Sequence, residues 1–114
     1  DLIFLYIDKM TENKNEELQE MQVLDQNLHN LLLQKQAFQM ELSESKDALK
    51  ELGNSKDEVF KIIGQLMIKS EKSKMQEEIL NKIKIFELKM KNLEKQEASL
   101  ANRIEKIRDN GLKA

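Results

Sequence analysis

The residue pairs most able to do chemistry are Asp25 with His29, Glu77 with Glu78, and Glu94 with Glu97. Asp25 and His29 are four apart, so the two side chains can touch on one face of a helix. His29 is the sole histidine and the chain has no cysteine, so no nucleophile or metal set accompanies the pair. A surface contact is the more economical reading. Glu77 and Glu78 read as acidic residues in the first turn of a helix, where its dipole favours them. Glu94 and Glu97 read as an edge charge and a seam charge of a coiled coil. No phosphate-binding glycine loop is present to handle ATP. These absences point away from an enzyme and from any cofactor.

The elements that carry these residues follow from the composition. Charged residues make up 35% of the 114 positions, hydrophobic ones 39%, with four Phe, one Tyr and no Trp. That is thin material for a globular core but suits helices that each bury one narrow stripe. There is no proline, and Gly53, Gly64 and Gly111 are the only glycines, so helices can run long and should break near Gly53 and Gly64.

Taking Met21 as position a of a heptad, the a positions are Met21, Leu28, Lys35, Leu42 and Leu49. The d positions are Leu24, Leu31, Phe38, Ser45 and Leu52. A second ladder runs Ile79, Ile83, Phe86, Met90, Leu93, Glu97, Leu100, Ile104 and Ile107 with alternating spacings of four and three. Apolar residues held at a 3.5-residue period over this length predict a left-handed coiled-coil seam. The expected helices cover 14–52 and 74–109. The first ends with a left-handed residue at Gly53, and a capping box from Ser73 to Gln76 opens the second. Residues 53–73 form a loop and hairpin, 110–114 a tail, and 1–13 an N-terminal extension, all in a single domain.

If the chain reverses between the ladders, Leu49 lies near Ile83, Leu42 near Met90 and Leu28 near Ile104. The two charged seam positions, Lys35 and Glu97, then come opposite each other or one layer apart. Such a pair penalises register slips more than it stabilises. Lys35→Leu is expected to remove the partner of Glu97 and lower the melting temperature.

Between the helices lies EVFKIIGQLMIKS. Val59, Phe60, Ile62 and Ile63 precede Gly64-Gln65, and Leu66, Met67 and Ile68 follow it. Short β-branched runs about a Gly-X pair predict a hairpin with a type II′ turn. Gly64 and the lost heptad phase weigh against a helix that simply continues the coil. Both faces of the hairpin are mostly apolar, and a lone two-stranded hairpin is marginal in water. Its expected role is to join subunits.

The order helix, hairpin, helix with these residues resembles a β-type subunit of the prefoldin family. The resemblance rests on QKQAFQMELSESKDALKEL in the first helix, VFKIIGQLMIK in the hairpin and LEKQEASL in the second helix, and covers about residues 20 to 109. It implies a mainly α fold, a long antiparallel two-helix coiled coil with a β-hairpin at the junction. It also implies a hexamer of two α-type and four β-type subunits joined through their hairpins. Such an assembly captures non-native client proteins at the coil tips without nucleotide, and delivers them to a group II chaperonin in the cytoplasm. Leu18, Met21, Leu24, Leu28, Ile104, Ile107 and Leu112 would lie near those tips. A structural scaffold that never binds unfolded chains is the competing reading.

LIFLYI, residues 2–7, departs from the family pattern. It is too short to span a bilayer and has no basic segment before it. Upstream sequence ahead of Met10, an extra helical turn, and an exposed apolar tip all fit it. Nucleic acid and membrane are not expected partners. The formal net charge is −2, and residues Glu87 and Glu94 interrupt the lysines at 82, 84, 89, 91 and 95. The charge is unevenly spread: residues 1–52 hold 11 acidic and 5 basic groups, and residues 75–114 hold 7 and 9.

Overall fold

A computed structural model describes residues 1–113, with side chains described as far as Gly111. The element order is α1 (Leu2–Gly53), β1 (Glu58–Ile63), β2 (Leu66–Glu71) and α2 (Lys72–Lys113). The chain divides into two compact units, one of Lys35–Asn92 and one of Asp1–Gln34 with Leu93–Ala114.

In the Lys35–Asn92 unit, the two helices meet where α1 ends and α2 begins. The Lys72 ammonium donates to the carbonyls of Gly53 at 3.1 Å and Ser55 at 3.0 Å. Farther along, the Phe38 and Phe86 rings lie 5.7 Å apart, so the helices run antiparallel. Ion pairs flank the seam at Glu41–Lys82 and Lys46–Glu87. These pairs set Leu42 level with Phe86 and Leu49 level with Ile79, one layer away from the expected partners Met90 and Ile83. Seam residues of similar size fit either layer; the aromatic pair and the flanking charges choose.

Every a and d position of this unit is covered to some degree. Ser45, Leu52 and Ile83 are buried, and Leu42, Leu49, Phe38, Ile79, Phe86 and Met90 are half-buried. A two-helix seam leaves each side chain one open flank, so half-burial is the ordinary outcome.

Gly53 does not adopt the left-handed cap expected of it, since Gly64 alone has a positive φ among the described residues. The end of α1 tightens instead. The Asn54 and Ser55 amides donate to the Glu51 and Leu52 carbonyls at 3.1 and 3.2 Å, and the Ser55 hydroxyl donates to Leu52 at 2.7 Å. With Lys72 added, the last three carbonyls of α1, those of Glu51, Leu52 and Gly53, are satisfied from outside the helix. Because α2 starts at Lys72, Ser73 lies within the first turn and does not precede it. Glu77 and Glu78 likewise lie beyond that turn, which holds no acidic residue.

The hairpin pairs Phe60 with Lys69, Lys61 with Ile68, Ile62 with Met67 and Ile63 with Leu66. Gly64 turns the chain at φ 59° and Gln65 keeps a negative φ, as a type II′ turn requires. A Cβ at Gly64 would meet nothing within 4 Å, so glycine is needed there for its dihedral and not for space.

In the other unit, Arg103 pairs with Glu20 at 2.7 Å. That contact sets Leu24 level with Ile104, again one layer from the expected Leu28. Helix α1 starts at Leu2, not at residue 14. The Asp1 carboxylate accepts from the Ile3 amide at 3.2 Å as an N-cap, and nothing between Asp1 and Asn13 breaks a helix. Helix α2 likewise runs on to Lys113.

Candidate functional site: the hairpin and the helix ends

The hairpin has no active-site geometry; what it offers is uncovered apolar surface. Alternation puts Val59, Lys61, Ile63, Leu66 and Ile68 on one face and Phe60, Ile62, Met67 and Lys69 on the other. At the root, Val59 is buried at 9% exposure and its partner Ser70 is half-buried. Toward the turn everything opens: Ile62 is 71% exposed and Met67 68%, while Phe60, Ile63, Leu66 and Ile68 are also exposed. The outer edge of β1 borders a groove between Phe60 and Ile62 on the strand and Met75, Ile79 and Ile85 on α2.

Two charged contacts hold the hairpin in place. Lys61 donates to Glu78 across that groove at 2.9 Å, and Lys69 pairs with Glu58 across the strands. The hydrogen bond and then the charge of Lys61 hold the Glu78 carboxyl below its ordinary value of 4.5. Behind the hairpin, the Lys89 ammonium lies 5.5 Å from the Phe38 ring and 5.7 Å from the Phe86 ring, with Lys82 5.7 Å from Phe86. These lysines bury their stems along the aromatic layer while keeping their charges wet.

The residues expected at the tips lie in the other unit and differ in exposure. Leu18 is exposed, Met21, Leu24 and Leu28 are half-buried, and Ile104 and Ile107 are buried at 6% and 7%. Leu112 falls outside the described side chains. Sequence reasoning left the start of α1 undecided. Leu2, Ile3, Phe4, Leu5, Tyr6 and Ile7 form continuous helix and are exposed on every side, Leu2 at 84%. Six apolar residues in a row leave no polar face, so part of this apolar surface faces solvent whichever way the helix is turned.

Asp25 and His29 are both exposed, and among the described residues no group of three or more His, Cys, Asp or Glu is placed to hold a metal ion. No described helix is long and apolar enough to cross a membrane. Lys35 falls in one unit and Glu97 in the other.

A pair of long helices joined by a single exposed hairpin defines a class of assembly subunit, and comparison with known proteins agrees. A family model described as "Prefoldin subunit" matches residues 15–113. Prefoldin subunit beta of Thermococcus onnurineus is 32% identical over 92 residues, covering 79% of each chain. The same subunit of Methanothrix thermoacetophila is 30% identical, covering 82% of this chain and 79% of the relative. The crystal structure of the prefoldin beta subunit from Thermococcus strain KS-1 superimposes with a TM-score of 0.81 at 31% identity, covering 86% of this chain and 88% of that one. The chain belongs to the prefoldin family, on its β-type branch.

Proposed function

We propose that the chain is a subunit of an ATP-independent chaperone that captures unfolded proteins at its helix ends and delivers them to a group II chaperonin. Its hairpin joins α-type prefoldin subunits and further β-type copies in a cytoplasmic hexamer of two α and four β chains. The observation that carries this reading is the placement of uncovered apolar surface at the hairpin and at the start of α1, while the seam residues are covered.

The two exposed regions suit different tasks. A hairpin with open edges and two apolar faces gains most from strand pairing with another hairpin. The helix end gains from contact with any apolar chain, at about 25 cal/mol per Å² buried. One end holds a client weakly, and several ends in one assembly hold it through effective concentration. Met21 and Leu24, half-buried near the end of the seam, become available when the last layers open. The buried state of Ile104 and Ile107 speaks for the competing scaffold reading, in which the ends stay closed. The exposed Leu2–Ile7 segment speaks against it.

Leu24→Ser with Ile107→Ser tests the role of the seam ends. Capture of a denatured client should fall while the assembly, followed by sedimentation, persists. Undiminished capture removes these residues from the mechanism.

A further inference from the structure

On α2, Lys74, Glu78, Asn81, Ile85, Leu88 and Asn92 follow one another by four and three residues and form one stripe. It is out of phase with the seam ladder of Ile79, Ile83, Phe86 and Met90, so it lies on the side of α2 turned away from α1. A coil ordinarily shows water charged side chains there. The stripe begins that way, with Lys74 and with Glu78, which accepts from Lys61 of the hairpin at 2.9 Å. From Asn81 to Asn92 it holds no charge, and its middle residues, Ile85 and Leu88, are 53% and 68% exposed. Lys82 and Lys89 border it on the seam side, Lys84 and Lys91 on the other.

This apolar pair does not stand alone. Ile85 also lines the groove, about 740 Å³ in volume, beside Phe60 and Ile62 of β1 and Met75 and Ile79 of α2, with Lys61, Glu78 and Lys82 along its rim. Strand β1 pairs only with β2 among the described residues, so its other edge stays open to the groove. Phe60, Ile62, Ile85 and Leu88 thus make one apolar surface that passes from hairpin to helix within the Lys35–Asn92 unit. An uncharged apolar centre inside a charged rim is the composition of a protein–protein contact. Its continuity with the hairpin says what covers it: a subunit seated on the outer face of the hairpin comes over Ile85 and Leu88 as well. The lysines on both sides call for carboxylates along the edges of the covering surface.

We propose that the subunit interface of this chain runs beyond the hairpin onto the outer face of α2. There Ile85 and Leu88 are covered by the neighbouring α-type prefoldin subunit, through an apolar patch edged with carboxylates. The inference rests on the joining role given to the hairpin and adds a helix face to it.

The test mixes the full chain with its α-type partner and follows assembly by sedimentation over a range of concentrations. Ile85→Gln with Leu88→Gln should weaken assembly roughly tenfold. Glutamine favours helix, both positions are exposed, and circular dichroism checks that the variant folds. Met40, 65% exposed on α1, lies outside the groove, so Met40→Gln should leave assembly unchanged. In this cysteine-free chain, the thiol of Leu88→Cys should react with a maleimide roughly tenfold more slowly once the partner is added. Assembly unaltered by the double substitution, equal weakening by Met40→Gln, or a thiol that the partner does not protect overturns the proposal. Full assembly with reduced client capture overturns it too, by making the surface a client contact. If the double variant assembles normally while substitutions in the hairpin abolish assembly, the hairpin keeps its role and only the helix face is lost. Failure of the wild-type chain to assemble with the partner removes both.

Discussion

Lys61 and Glu78 tie β1 to α2 through a single exposed ion pair. Because the folded carboxyl titrates below its ordinary value, the pair contributes stability above that value and loses it as pH falls through the lowered one. Lys61→Met should therefore move the Glu78 carboxyl upward in an NMR titration toward 4.5; an unmoved titration contradicts the contact. Phe38 has more at stake. Its ring meets Phe86 at an interplanar angle of 47° with Lys89 above both. A fully buried Phe→Ala change costs roughly 3–5 kcal/mol, and Phe38 is half-buried, so Phe38→Ala should cost about 2 kcal/mol in urea unfolding. A cost near zero would mean that the aromatic layer does not set the register.

At the scale of elements, the hairpin depends on the one left-handed residue. Gly64→Ala meets no neighbour, so its cost is the dihedral penalty alone, about 1–2 kcal/mol. It should weaken assembly without altering the helices, as sedimentation and circular dichroism would show. The positions of helix, turn and seam were legible in the sequence because each depends on local pattern: a 3.5-residue period, a Gly-Gln pair between β-branched runs, and the absence of proline. What the pattern could not supply was set by contacts between distant residues. Lys72 caps α1 across nineteen positions, so Gly53 had no need of a left-handed turn. The layer opposite Leu42 was chosen by the Phe38–Phe86 contact and two flanking ion pairs, not by the heptad period. The helical start of α1 went unread because an apolar run without a polar face has no amphipathic period.

For the whole molecule, the joint and the working end are separate regions, the hairpin and the start of α1. Ile62 and Met67 face each other across the hairpin, so Ile62→Glu with Met67→Lys keeps a favourable cross-strand pair while taking away the apolar face. That variant should keep its helices and sediment as a lone chain; full assembly would contradict the role given to the hairpin. The measurement closest to the central claim is light scattering as a denatured, aggregation-prone protein is diluted into buffer without ATP. With this chain and its α-type partner present in near-stoichiometric amount, scattering should be suppressed, while an unrelated coiled coil leaves it unchanged. Scattering unaffected by this chain, both alone and with that partner, would contradict the chaperone reading and leave a scaffold in its place.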